Sequence, residues 1–157
     1  MRTNSIKAAK ELKIRVRFMT HCFSRKYDPA THPEDDPIVR DAAGRLRSFC
    51  PIRYELSFRL PGLIRALNHP KAAVTQTARA RNWLHTVTID EGGGKYRIFF
   101  ELRRAAAETN HREDLNLVVE SAYRQDTDRR EPAVRGSMGF ILLCGKTYVG
   151  EPIATRR

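Results

Sequence analysis

The sequence contains no apolar run longer than the five residues 140–144, far short of the roughly 20 needed to span a bilayer. No transmembrane helix is expected, and no membrane partner. The basic N-terminus is not followed by the roughly 7 to 15 apolar residues of a signal peptide, so export is not expected either. Cysteine is scarce, with Cys22, Cys50 and Cys144 forming an odd set at no recognisable spacing. That excludes a secreted disulfide scaffold and favours a reducing, cytoplasmic setting. Paired Cys-x-x-Cys or His-x3-His spacing is missing, so neither a metal site nor a cofactor is expected. There is no Gly-x-Ser-x-Gly elbow to make Ser121 a nucleophile. Gly92-Gly93-Gly94-Lys95 lacks the Ser or Thr and the following helix of a P-loop, and fits a hairpin turn instead.

Acidic residues are the minority: 29 Lys+Arg face 18 Asp+Glu across 157 residues, giving a net charge of +11. An acidic mimic is thereby excluded. The cations are mostly arginine, 22 against 7 lysines, and arginine's planar fork binds phosphate bidentately and stacks on bases. A GC-rich genome gives the same bias. With 41% hydrophobic residues and a length close to the commonest domain size, the chain has enough apolar content for one core without staples. Residues 1–157 are expected to form a single α+β domain with a flexible basic segment at 1–12 and a basic tail at 150–157.

Alternation of Ile14, Val16 and Phe18 with Arg15 and Arg17 predicts a strand at 13–20 with one basic face. Residues 24–48, with Pro29, Pro33, Pro37, Gly44 and the acidic run Glu34-Asp35-Asp36, are expected to form a long loop and a candidate protein-docking element. A strand is predicted at 53–58, leading through Pro61 into a short amphipathic helix of Leu60, Leu63, Ile64 and Leu67. The Ala-rich segment 71–82 favours a second helix.

Segments 83–89, 96–103, 115–123 and 139–149 are rich in β-branched and aromatic residues and predict an antiparallel meander. Pairing Ile89 with Tyr96 puts Trp83, His85 and Val87 on an apolar face that a helix covers. The opposite face gathers Thr86, Thr88, Arg97, Phe99, Glu101 and Arg103, extended by Asn116, Val118 and Glu120. The expected architecture is an antiparallel sheet with one or two short helices on one face.

Two uses of that mixed face follow. As a binding surface for RNA or single-stranded DNA, it offers Arg15, Arg17, Arg79, Arg81, Arg97, Arg103 and Arg104 to phosphates and Phe99 to a base. Further arginine pairs stand at 45/47, 129/130 and 156/157. As an RNA-cleaving site it supplies carboxylates for proton transfer in Glu101 or Glu120, a cation in Arg103 and an acid or base in His21, at the end of the first strand. His85 points to the apolar side, away from Glu101. The order of elements resembles that of small ribonuclease toxins in architecture alone, with no residue motif behind it. A third use, as an accessory factor of mobile-element or host-defence origin, rests on docking through 24–48.

Overall fold

Three neighbouring segments with the predicted alternation form the centre of a six-stranded sheet in the computed structural model, which describes residues 10–32, 37–79, 81–89, 94–108, 112–125 and 130–155. They are β6 (Asn82–Thr88), β7 (Lys95–Arg104) and β8 (Leu115–Arg124), paired antiparallel. β1 (Ile14–Phe18) lies parallel to β8, and β5 (Ala73–Thr77) and β9 (Val134–Gly139) complete the order β1-β8-β7-β6-β5-β9. The fold is α+β with a mainly antiparallel sheet. Val87 stands opposite Tyr96 and His85 opposite Ile98, a register two residues from the expected one. An even shift keeps each β6 and β7 side chain on its predicted face.

One face is apolar. Trp83, Ile98, Phe100, Leu115, Leu117 and Val119 are buried there. Two helices supply the other half of the core: Leu60, Ile64 and Leu67 from and just after α2 (Leu60–Ala66), and Phe140, Leu143 and Cys144 from α3 (Phe140–Val149).

Four sequence expectations need correction. Residues 53–58 are not a strand but fall mostly in helix α1 (Pro51–Ser57), begun by Pro51 where the missing N–H costs nothing. The alternation of Tyr54 and Phe58 is equally an i,i+4 pair, and their rings meet edge-on at 5.0 Å. Within segment 71–82, residues 73–77 form strand β5 rather than a helix, because Val74, Thr75 and Thr77 are β-branched and partners on both sides outweigh the propensity of alanine. Segment 139–149 is not a long last strand. Phe140, Leu143 and Cys144 recur at i, i+3 and i+4 on the buried side of α3, which ends at Gly150 with φ +75°. Finally, the expected loop 24–48 carries a second, three-stranded antiparallel sheet, β2 (Ser24–Lys26), β4 (Leu46–Phe49) and β3 (Ile38–Arg40).

The acidic run 34–36 and the glycines 92 and 93 lie outside the described residues, as do the N-terminal segment 1–9, Arg129, Arg156 and Arg157. Among the described residues no helix is long and apolar enough to cross a membrane.

Candidate functional site

The β7–β8 ladder is irregular at one place, and it concerns a candidate residue. Phe99 pairs with Ser121 but Phe100 pairs with Val119, so Glu120 is an extra residue in β8. Such a bulge turns a side chain out of strict alternation. Asn82 Nδ2 donates to Glu120 Oε2 at 2.6 Å, and Thr77 Oγ1 donates to Asn82 Oδ1 at 2.9 Å. The carboxylate is therefore oriented by a chain of side chains reaching across to β5.

His21 reaches the same place from β1. After β1 the chain makes a 3-10 turn, Thr20–Cys22. The Met19 N–H donates to the Val119 carbonyl at 3.0 Å, and the buried Cys22 thiol lies 3.6 Å from the same oxygen. The turn thus grips the residue immediately before Glu120. Burial raises the Cys22 thiol to about 11, so this sulfur packs rather than reacts. From α1, Arg53 donates to the carbonyls of His21 at 3.2 Å and Ser24 at 2.7 Å, and its guanidinium lies 5.1 Å from the Tyr123 ring centroid.

Asp41 comes from the small sheet. The sequence Asp41-Ala42-Ala43-Gly44 has Asp first and Gly fourth, the preference of a type I turn. The Gly44 N–H donates to the Asp41 carbonyl at 2.9 Å, and Gly44 has φ +75°. Asp41 Oδ1 accepts from the N–H groups of Ala43 and Arg45, each at 3.0 Å. Its Oδ2 accepts from His21 Nε2 at 3.0 Å and Arg45 Nε at 2.8 Å. The His21 hydrogen bond, aided by the backbone and guanidinium donors, holds this carboxyl well below the usual carboxylate range against the opposing effect of burial. With Nε2 holding its proton toward Asp41, Nδ1 is the acceptor of the neutral ring.

These groups line one cleft of about 460 Å³ between the polar face of the large sheet and the β3–β4 hairpin. Its walls include His21, Asp41, Arg45, Arg79, Asn82 and Glu120. Phe99 and Tyr123 line it too, stacked at 5.5 Å with 20° between their planes. A carboxylate, an imidazole oriented by a second carboxylate, two guanidinium groups and an aromatic face converge on one space. Residues 1–148 match the model of the YjaZ family. The chain belongs to the YjaZ family. No curated protein and no solved structure matches it.

Of the predicted site residues in this YjaZ-family chain, His21, Arg79, Phe99 and Glu120 meet in the cleft. Glu101 and Arg103 instead engage one another, Arg103 Nε donating to Glu101 Oε1 at 2.7 Å. Arg97 is buried and held by Gln125, Thr86 and Glu131. Arg15 and Arg17 are exposed on β1, on the side shared with Asn116 and Val118. Arg81 and Arg104 lie outside the cleft, lining a separate cavity. His85 faces the core side, its Nδ1 3.4 Å from the Ala73 carbonyl, and burial lowers its pKa. Among the described residues no group of three or more His, Cys, Asp or Glu gathers to hold a metal ion.

The pattern reading missed Asp41 and Asn82. Asp41 sits in a segment whose prolines suggested a loop, although its Asp-x-x-Gly turn was visible. Asn82 has no sequence signal, because its role depends on the register that sets it opposite Glu101.

Proposed function

We propose that this chain binds single-stranded nucleic acid, RNA in particular, in the cleft between its two sheets. The observation that carries this reading is the convergence in one cavity of Arg45 and Arg79 with the stacked Phe99–Tyr123 pair. Guanidinium groups take phosphate oxygens, and an aromatic face takes an unstacked base. Within the cleft the two arginines balance Asp41 and Glu120, so long-range attraction belongs to the net charge of +11 and to outlying cations such as Arg17. The cysteines are free, two of them buried, which fits a cytoplasmic protein. The test is an anisotropy titration of single-stranded RNA at two salt concentrations. Wild type binds and weakens as salt rises, while Phe99→Ala and Arg79→Ala each lose about tenfold, the equivalent of ~1.4 kcal/mol. Absence of binding at low salt overturns the reading.

A second reading is favoured by the His21–Asp41 pair sharing the cleft with the Asn82–Glu120 pair. In it the protein cleaves the RNA it binds. Glu120 takes the proton from a ribose 2′-hydroxyl as its oxygen attacks phosphorus, and the protonated imidazole of His21 gives a proton to the departing 5′-oxygen. A 2′,3′-cyclic phosphate and a 5′-hydroxyl end result. Arg45 and Arg79 face the charge that grows on the phosphorane, and Asp41 orients the imidazole. Glu120→Gln and His21→Ala then each cut the cleavage rate by about 10²- to 10⁴-fold. Intact RNA after incubation with a wild-type protein that binds it leaves binding as the function.

A further inference from the structure

A second cavity, about 550 Å³, opens at the same end of the large sheet but toward its other side. The alternation of the strands puts it there: Asn82 lines the cleft, whereas its neighbour Trp83 lines the second cavity. Arg103 and Arg104 straddle the strand end in the same way, Arg103 opposite Asn116 and Arg104 opposite the buried Leu115. Arginines therefore edge both sides. Arg79 lines the cleft, and Arg81, two residues on in the same β5–β6 turn, lines the second cavity with Arg103, Arg104 and Lys146. Glu151 also lines it and engages Lys146 at 3.2 Å, while Arg104 lies 5.4 Å from the Tyr148 ring centroid.

Arg81 has a further peculiarity. Its φ is +63°, the one non-glycine in the left-handed region among the described residues. Residues other than Gly, Asn and Asp rarely sit there, and the conformation costs stability. Among the described residues its guanidinium has no hydrogen-bond or ion-pair partner that would repay that cost. Strain held without an internal return clusters at ligand-binding positions.

We infer that the second cavity is a phosphate seat for the same nucleic-acid strand, which leaves the cleft, passes the sheet end beside Arg79 and Arg81, and is held by Arg81 and Arg104. This deepens the proposed binding reading and rests on it. Its ligand is a single strand long enough to reach both cavities, whereas a trinucleotide occupies the cleft alone. The strand must bend around the sheet end, which a flexible single strand does and a duplex resists.

The experiment compares fluorescent single-stranded RNA of three and of about ten nucleotides with wild type, Arg81→Gly and Arg104→Ala at several salt concentrations. Wild type binds the longer strand more tightly and with a steeper salt slope. Each variant binds the trinucleotide as wild type does, but loses about tenfold on the longer strand and lowers its salt slope by about one. Because glycine suits φ +63°, Arg81→Gly melts no lower than wild type, so a weakened complex is not a folding defect. Unchanged binding of the longer strand by both variants overturns the second seat while leaving the cleft reading in place. Failure of wild type to bind either RNA overturns both.

Discussion

Asp41 shows how much one side chain organises here, since its two oxygens accept from four donors contributed by its own hairpin and by His21. Its pKa is depressed in the fold, so between that value and the unfolded value of about 3.9 the unfolded chain binds more protons. Stability from this carboxylate is present above about pH 4 and is lost as the pH falls through the folded pKa. Urea midpoints measured from about pH 7 down to about pH 3 should fall in acid for wild type and fall less steeply for Asp41→Asn. Equal slopes would mean that Asp41 titrates as it does unfolded. A different kind of residue is Tyr96, fully buried, whose hydroxyl has no hydrogen-bond partner among the described residues. Burying an unpaired hydroxyl is unfavourable, so Tyr96→Phe should leave the melting temperature unchanged or raise it. A clear fall in Tm would show that the hydroxyl is paired in solution. At this scale the sequence was most informative where a residue lies on a regular strand. Alternation assigns Phe99 and Glu120 to the polar face, although the bulge at Glu120, which carries Ser121 and Tyr123 onto that face as well, has no signal in the sequence.

Among the elements, the β3–β4 hairpin positions both Asp41 and Arg45, and Gly44 lets it turn. Gly44 and Gly150 have the same φ of +75°, and an added Cβ at either meets open space, so alanine at each is strained through the backbone alone. Both substitutions should therefore lower stability by about 1 kcal/mol. Only Gly44→Ala displaces the cleft wall, and only it should weaken trinucleotide binding; equal effects of the two on that binding would detach the hairpin from the site. Legibility at this scale followed the physics of pairing. β6, β7 and β8 are readable because strands consecutive in sequence pair with one another and alternate over most of their length. β5 is hidden because alanine propensity says nothing of the partners that pair with it on both sides, and α3 because a short apolar run such as 140–144 satisfies both helix and strand periods, so that only burial of Phe140, Leu143 and Cys144 decides between them. The small sheet was hidden by prolines, although it needs only three or four residues per strand.

For the whole molecule, the arginine excess acquires a geometry that composition alone does not supply. Some of it is structural: Arg97 is buried, and Arg47 and Arg53 both donate to Ser24. Arg45, Arg79 and Arg81 instead border the two cavities. In the proposed reading the binding face uses few of the 22 arginines, and the rest of the +11 charge would set the rate and salt dependence of encounter. The central claim is that single-stranded RNA lies in the cleft against Phe99 and Tyr123. Photocrosslinking a thiouridine-containing single strand to the protein, with mass-spectrometric mapping of the joined peptide, tests that location most directly. The account predicts adducts on the β7 and β8 peptides that carry Phe99 and Tyr123, lost on Phe99→Ala. Adducts confined to other surfaces, or none under conditions where the RNA is bound, would contradict it.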